Sequence, residues 1–212
     1  MFTAESSAES ALGLKFKGRI TDDPEAPLVF MVHGRAGNYD VMWAFRRTVP
    51  DSFHILTPQA PFADSIGGYS WWHVDRQDSL QTEGIAALKS FILKAPEYYQ
   101  LKPRAKIALG FSQGGAALSV VFQDHPGIFD GLGLLASFVL KKEEALVSLT
   151  HTAAVFIAHG EKDPIVPLNK ALEARSYFES LGYKVTFVAD PVTHKVGTAG
   201  MKALKAWLAQ WE

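Results

Sequence analysis

The sequence of 212 residues contains no cysteine. This absence excludes disulfide bonds, thiolate metal sites and a cysteine nucleophile. An excess of one charge is also missing, because 21 basic and 22 acidic residues give a formal net charge of −1. The composition therefore indicates neither a nucleic acid nor an anionic membrane as a partner. The most apolar stretch, residues 131–140, is far shorter than a membrane-spanning helix.

Targeting signals, linkers and metal-ligand motifs are missing as well. The opening segment MFTAESSAES has neither a basic region nor an apolar core, so we expect no secretory signal and a cytoplasmic location. No repeat or linker interrupts the chain, and residues 1–212 are predicted to form one domain. The histidines at 54, 73, 125, 151 and 159 show no metal-ligand spacing such as H-x-x-x-H, so we predict no metal and no other cofactor.

Short apolar runs alternate with segments of helical periodicity along the chain. Strands are predicted at residues 12–20, 28–32, 53–57, 107–109, 131–136, 153–158 and 184–189. Helices are predicted at residues 39–47, 79–93, 168–181 and 197–211, with a further helix after residue 115. This alternation predicts an α/β fold, a mainly parallel sheet with helices on both faces.

Three of these elements carry more specific expectations. Residues 12–20 alternate apolar and polar side chains, which is typical of a half-buried strand at a sheet edge. Pro96 is expected to end the helix that begins at residue 79. Residues 58–78 lack clear periodicity, and a loop of that length in a compact domain is more often functional than structural.

The stretch KIALGFSQGGAA at residues 106–117 has the pattern of a nucleophile elbow. In this arrangement a buried strand leads into a sharp turn with a serine at its apex, followed by a helix. Ser112 occupies the apex, and Gly110 and Gly114 leave room for the close approach of strand and helix. A glycine-rich turn with a serine helix cap would also account for the motif alone.

A serine nucleophile needs a base and an orienting acid. Asp163 follows the strand at 153–158 in the turn HGEKDPIVP, and His194 follows the strand at 184–189. Each has an alternative role, since Asp before Pro commonly starts turns and a loop histidine can be purely structural. The order Ser, Asp, His, each after a separate strand, is that of α/β hydrolases. Asp190 is a rival acid that we rank below Asp163.

An acyl-transfer site also requires amide donors for the oxyanion. The backbone N–H of Gln113, directly after the serine, is one candidate, and the amide of Arg35 in the loop HGRAG is the second. Trp71 and Trp72 lie in the long loop, where paired indoles either line an apolar acyl pocket or fill the core beneath the loop.

Four motifs occur in an order that resembles one family. HGRAGN at 33–38, GGYSWW at 67–72, GFSQGG at 110–115 and HGEKDPIVP at 159–167 are similar to those of the phospholipase/carboxylesterase family of α/β hydrolases, which includes acyl-protein thioesterases. The resemblance covers the chain from about residue 28 onward. It implies a small hydrolase without a large lid, the triad of Ser112, Asp163 and His194, and oxyanion amides from Arg35 and Gln113. It also implies that the segment of Trp71 and Trp72 lies beside the acyl site.

Two positions depart from the family pattern, since Ala36 and Thr193 stand where the family often has glycine. The function that we predict is a serine carboxylesterase acting on a small-molecule acyl ester, with thioesters and lysophospholipids as further substrate classes. The alternatives are a non-catalytic ligand-binding protein on the same scaffold, and a serine peptidase with the same triad. The resemblance leaves a homodimer open, since members of this fold often dimerise, although no exposed apolar stripe is evident from the sequence.

Overall fold

The computed structural model describes residues 2–3, 6–73, 80–140 and 153–212. Within them, one sheet contains eight strands: β1 (Phe2–Thr3), β2 (Phe16–Arg19), β3 (Leu28–Val32), β4 (His54–Pro58), β7 (Lys106–Phe111), β8 (Gly131–Leu135), β9 (Ala154–Gly160) and β10 (Lys184–Asp190). A separate hairpin contains β5 (Phe62–Ala63) and β6 (Tyr69–Ser70). The strand order in the large sheet is β1-β2-β4-β3-β7-β8-β9-β10.

Helices cover both faces of this sheet. The α-helices are α1 (Ser6–Leu12), α2 (Leu80–Tyr98), α3 (Gln113–Asp124), α4 (Leu168–Ser180) and α5 (Thr198–Leu208), and 3₁₀ helices lie at Val41–Thr48 and Ala209–Trp211. One core cluster joins the sheet to α1, α2, α3 and α4. A second core cluster joins the other face to the 3₁₀ helix at Val41–Thr48 and to α5. The predicted α/β fold is therefore confirmed.

The pairing of the strands brings four loops to one edge of the sheet. From β4 through β3, β7, β8 and β9 to β10, every neighbouring pair is parallel. Only β1 and β2 run antiparallel to their neighbours. The loops that follow β3, β7, β9 and β10 therefore share the carboxyl edge, which is where ligands bind in open α/β sheets.

The first predicted strand is wrong in its extent and its position. Leu12 ends α1, and the strand begins only at Phe16. Phe2 and Thr3 pair outside it, so β2 is the second strand of the sheet rather than the edge. Leu12 and Leu14 are buried against the core. The alternation of apolar and polar residues therefore predicted which side chains are buried, but not that the backbone forms a strand there.

Two predicted helices also differ from the structure. Pro96 lies inside α2, which continues to Tyr98, and the predicted start at Ser79 lies outside the described residues. A proline near the last turn removes one helical hydrogen bond, and buried Ile92 and Ala95 hold that turn against the core. The predicted helix at 39–47 forms as a 3₁₀ helix. Asn38 Oδ1 accepts from the amides of Asp40 at 2.9 Å and Val41 at 3.2 Å.

Part of the long predicted loop is ordered as a hairpin. Phe62 pairs with Ser70 and Ala63 with Tyr69, and an isolated bridge joins Tyr69 to Gly37 in the loop after β3. Residues 74–78 of the predicted loop lie outside the described residues. The hairpin therefore packs its second strand against a loop at the carboxyl edge of the sheet.

Candidate active site

Ser112 stands in the turn between β7 and α3 with a strained backbone. Its φ of 50° and ψ of −120° lie where side-chain-bearing residues are rarely found. The backbone of the turn is held from the neighbouring strand, because Ser112 N–H donates to Leu135 O at 2.9 Å and Ser137 Oγ donates to Ser112 O at 2.6 Å. The predicted sharp turn with a serine at its apex is thus present.

Two glycines allow this turn to pack. A Cβ at Gly110 would collide with the backbone of Gly115 in α3, and one at Gly114 would collide with the carbonyls of Val32 and His33. The first contact lets α3 fold back on β7, and the second lets the start of α3 approach the end of β3. The loop after β3 therefore reaches the immediate surroundings of Ser112.

Asp163 is completely enclosed, with a side-chain exposure of 0%. Its Oδ1 accepts from the amides of Ile165 at 2.8 Å and Val166 at 2.9 Å, and its Oδ2 lies 2.7 Å from His194 Nδ1. Burial on its own would raise the pKa of this carboxyl, but the bond to His194 and the two amides together hold the pKa below its ordinary value. Asp163 is therefore a buried, ionised carboxylate that faces an imidazole.

His194 lies in the loop between β10 and α5. Because its Nδ1 faces the carboxylate of Asp163, its Nε2 is the nitrogen available to another group. The ring lies against Phe111, with ring centroids 5.0 Å apart. His194 and Ser112 both line one cavity at the carboxyl edge of the sheet.

The loops of Asp163 and His194 are joined by their backbones. Glu161 N–H donates to Asp190 O at 2.8 Å, and Lys162 N–H donates to Val192 O at 3.0 Å. The carboxylate of Asp190 is used elsewhere, since it accepts from the amides of Ala199 at 3.1 Å and Gly200 at 2.8 Å at the start of α5. Asp190 therefore acts as a helix-capping residue in this structure.

The loop after β3 carries the predicted oxyanion amide of Arg35. Ala36 N–H donates to Ser70 Oγ at 3.0 Å, and Gly37 N–H donates to Gly34 O at 3.2 Å. In the described part of the chain, the backbone amides of Arg35 and Gln113 have no hydrogen-bond partner. Both residues adjoin the cavity region of Ser112. Unpaired amides beside a serine are what an oxyanion site requires.

His33 supports this loop from within the core. Its Nδ1 lies 2.7 Å from Gly34 O, and Ala60 N–H donates to its Nε2 at 2.9 Å. An acceptor nitrogen cannot carry a proton, so the neutral Nδ1–H tautomer satisfies both contacts. Burial lowers the pKa of His33 to about 4. His33 is therefore a neutral structural histidine.

The cavity shared by Ser112 and His194 has a volume of about 510 Å³ and mostly apolar walls. Besides the loop after β3, the walls consist of apolar side chains: Val41, Met42, Phe45, Ile66, Phe111 and Ile165. Ile66 and Ile165 are unusually exposed for isoleucine, at 74% and 68%. The cavity is therefore suited to an apolar group, with isoleucines at its margin.

Neither tryptophan of the pair lines this cavity. Trp71 is fully buried, and its Nε1 donates to His33 O at 2.8 Å. Trp72 is half-buried and packs against the main core cluster. The prediction that Trp71 contacts substrate is corrected by its burial, and the core-filling alternative describes it. The side chain of Gln113 fixes both residues, because Trp71 N–H donates to Oε1 at 2.9 Å and Nε2 donates to Trp72 O at 2.8 Å.

The described residues form neither a cluster of metal ligands nor a membrane-spanning helix. Residues 2–3, 6–73, 80–140 and 153–212 contain no group of three His, Cys, Asp or Glu side chains arranged to hold a metal ion. Within the same ranges, no helix combines the length and the apolar character that crossing a membrane requires. His151, one of the histidines considered in the sequence, lies outside these ranges.

Several residues around the site were not predicted from the sequence. Asp64, Ile66 and Ser70 lie in a stretch without periodicity, and only the turn chemistry of Asp64 followed by Gly67 and Gly68 could have indicated the hairpin.

Thr193 causes no backbone strain, but Ala36 has a φ of 57°, a conformation that favours glycine. The departure from the family pattern at Ala36 therefore has a structural cost.

The chain is similar to known esterases and thioesterases in sequence and to a carboxylesterase in fold. A family model described as Phospholipase/Carboxylesterase matches residues 20–212. Esterase YpfH from Escherichia coli is 26% identical over 197 residues, which cover 85% of this chain and 81% of that protein. Acyl-protein thioesterase 1 from Kluyveromyces lactis is 30% identical over 181 residues, covering 74% and 78%. The carboxylesterase structure from Bacillus cereus has a TM-score of 0.83 at 17% identity, covering 97% and 98%.

Proposed function

This chain belongs to the phospholipase/carboxylesterase family of α/β hydrolases, and we propose that it is a serine esterase that hydrolyses carboxylic esters through an acyl-enzyme on Ser112. One observation carries the proposal. Ser112, in a strained turn, shares an apolar cavity with His194, whose Nδ1 is hydrogen-bonded at 2.7 Å to the buried carboxylate of Asp163. This combination supports the roles of nucleophile for Ser112, base for His194 and orienting acid for Asp163.

The proposed reaction begins with attack of Ser112 Oγ on the ester carbonyl. His194 Nε2 takes the hydroxyl proton, and Asp163 stabilises the imidazolium through Nδ1–H. The backbone amides of Arg35 and Gln113 donate to the oxyanion of the tetrahedral intermediate. The C–O bond to the alcohol then breaks, and the alcohol leaves with the proton from His194. Water, deprotonated by the same imidazole, cleaves the acyl-enzyme to release the acid and free Ser112.

The proposed substrates are small esters with an apolar acyl group. The walls of the cavity favour that chemistry, because Val41, Phe45 and Ile66 offer apolar surface and the described lining residues include no carboxylate. Thioesters and lysophospholipids are further proposed substrate classes, and one relative is named an acyl-protein thioesterase. The homodimer and the cytoplasmic location stay predictions from the sequence.

The first experiment compares the wild type with Ser112→Ala on p-nitrophenyl acetate and butyrate. Removal of the nucleophile should lower kcat by about 10⁵-fold or more. A variant that keeps most of the activity would refute the mechanism. A fluorophosphonate probe should label Ser112 stoichiometrically in the wild type, whereas an unlabelled, folded protein would instead support the ligand-binding alternative.

A second pair of variants tests the assignment of the acid. Asp163→Asn should lower kcat by about 10³-fold or more, because the amide favours the wrong tautomer of His194. Asp190→Asn is the matched control, since it alters a buried aspartate that caps α5. It should cost about 1 kcal/mol of stability and leave kcat within about twofold. The reverse pattern would reassign the acid to Asp190.

A further inference from the structure

The hairpin of β5 and β6 contacts the loop that follows β3 through two hydrogen bonds and one close packing contact. Ser70 Oγ accepts from the amide of Ala36 at 3.0 Å, and Tyr69 N–H donates to Gly37 O at 2.8 Å. Gly68 packs so closely on Ala36 O that a Cβ at position 68 would collide with it. The residues on the carboxyl side of Arg35 are therefore held by the hairpin, while the amide of Arg35 itself remains unpaired within the described residues.

Asp64 connects these contacts between the hairpin and the loop to the side chain of Arg35. Its side chain is only 1% exposed, and its Oδ2 accepts from Arg35 Nε at 3.0 Å and from Ser70 Oγ at 2.7 Å. Its Oδ1 accepts from the amide of Ile66 at 3.1 Å, which shapes the turn of the hairpin. One buried carboxylate thus joins the loop after β3 to the turn and to the second strand of the hairpin.

The charge of Asp64 strengthens these bonds. The hydrogen bonds from Arg35 and Ser70 hold the pKa of the Asp64 carboxyl well below its usual range. An ionised acceptor makes shorter and stronger hydrogen bonds than a neutral one. Because the Ser70 hydroxyl donates its hydrogen to Asp64, its oxygen lone pairs face Ala36 N–H. Asp64 therefore fixes the direction in which Ser70 accepts.

The backbone of the loop after β3 is strained at Ala36, and the hydrogen bonds of Asp64 and Ser70 oppose the relaxation of this strain. Ala36 has a φ of 57°, a conformation that costs a side-chain-bearing residue about 1–2 kcal/mol. A relaxed Ala36 would rotate the peptide unit that joins it to Arg35. The Ala36 N–H lies in that peptide unit and donates to Ser70 Oγ, so the rotation would break this hydrogen bond. The bond from Arg35 Nε to Asp64 holds the residue on the other side of the unit to the same buried carboxylate.

We infer that Asp64 and Ser70 are positioning residues that aim the backbone amide of Arg35 at the oxyanion. The inference rests on the proposed function. Neither side chain lines the cavity beside Ser112, so both act through the loop rather than on the substrate. Oxyanion donors contribute by being fixed before the reaction, and their hydrogen bonds strengthen only as negative charge develops. Loss of the network should therefore slow turnover without weakening substrate binding.

The experiment measures p-nitrophenyl butyrate hydrolysis by Asp64→Asn, Ser70→Ala and the double variant. We expect kcat to fall by about 10-fold in each single variant while KM stays within about twofold. The double variant should lose no more activity than the more impaired of the two single variants, because both substitutions disable the same network. A trifluoromethyl ketone, which forms an oxyanion adduct with serine, should bind more weakly by the same factor as the loss in kcat/KM.

Controls separate positioning from damage to the fold. Asp130→Asn also alters a carboxylate that accepts a backbone amide, that of Lys106 at 2.8 Å, but at the opposite edge of the sheet. It should leave kcat and the inhibition constant unchanged. Circular dichroism at the assay temperature establishes that each variant is folded. If Asp64→Asn does not fold, Ser70→Ala and Arg35→Met, which keeps the Arg35 amide, provide the same measurements.

Each outcome decides the inference. Folded variants with kcat within about twofold of the wild type would overturn it, and so would a loss confined to KM or an inhibition constant that does not follow kcat/KM. The proposed function fails in a different way, because then Ser112→Ala would keep its activity whatever the Asp64 variants do. A loss of kcat in the Asp64 and Ser70 variants, together with an inactive Ser112→Ala, supports both.

Discussion

Lowering the pH from 7 to 4.5 should remove about 2.5 kcal/mol of folding free energy through His33 alone. Burial lowers the pKa of this histidine to about 4 in the folded protein, whereas an unfolded histidine titrates near about 6.5. Between these values the unfolded chain binds a proton that the folded chain does not. Stability is therefore full above about pH 6.5 and falls as the pH approaches 4, at about 1.4 kcal/mol for each pH unit.

The perturbation is a pair of substitutions, His33→Asn and His33→Gln. The asparagine amide is placed to keep the donor to Gly34 O, and the glutamine amide is placed to keep the acceptor for Ala60 N–H. Each variant should lose about 1–3 kcal/mol at pH 7, because one buried backbone group loses its partner. Neither variant titrates at position 33, so both should lack the pH-dependent loss of the wild type.

The assay is urea unfolding followed by tryptophan fluorescence at pH 7.0 and 4.5. The quantity of interest is the change in unfolding free energy between the two pH values, in which other titrating groups cancel on comparison with the wild type. Both variants should show a change about 2.5 kcal/mol smaller than that of the wild type. If the three proteins lose equal stability, within about 0.5 kcal/mol, His33 does not carry the depressed pKa and the reasoning is refuted.

Three further predictions concern the loop after β3, the elbow and the cavity. Ala36→Gly should raise the unfolding free energy by about 1 kcal/mol by relieving the positive φ, whereas Thr193→Gly should bring no gain, as urea titrations can establish. Gln113→Glu should cost about 2 kcal/mol, because the new carboxylate faces the carbonyl of Trp72 instead of donating to it; equal stability in urea unfolding would contradict this. Ile165→Ser should raise KM for p-nitrophenyl octanoate by about 10-fold and leave KM for the acetate within about twofold. An equal effect on both esters in steady-state assays would exclude contact between Ile165 and the acyl chain.

The sequence predicted best those features in which one local signal determines one structure. The run of Ile107, Ala108 and Leu109 before GFSQGG leaves few alternatives to a buried strand and a tight turn, and Gly110 and Gly114 meet their neighbours as that turn requires. The placement of Asp163 and His194 followed from parallel strands whose carboxyl ends share an edge.

The features that could not be predicted depend on contacts distant in the sequence. Leu12 and Leu14 alternate with polar residues as a strand would, but the choice between helix and strand there was made by packing against the core. Pro96 remains within α2 because buried neighbours hold the last turn. Trp71 is buried because its indole finds His33 O across 38 positions of sequence, a partner that no local pattern reveals.

Asp64 illustrates the same difficulty at the site itself. On the sequence it is one acidic residue before a pair of glycines, with no apparent partner. Its partners are Arg35, which is 29 positions away, and Ser70. The charge of Asp64 gains its role only when the hairpin folds onto the loop after β3.

The contact between Gly160 and Thr193 has a consequence for engineering this scaffold. A side chain at position 160 would strike the carbonyl of Thr193, whereas the side chain of Thr193 is exposed. Only the main chain of residue 193 takes part in that contact. A library can therefore vary position 193, next to His194, without disturbing this contact, whereas any side chain at position 160 should displace the loop that carries His194.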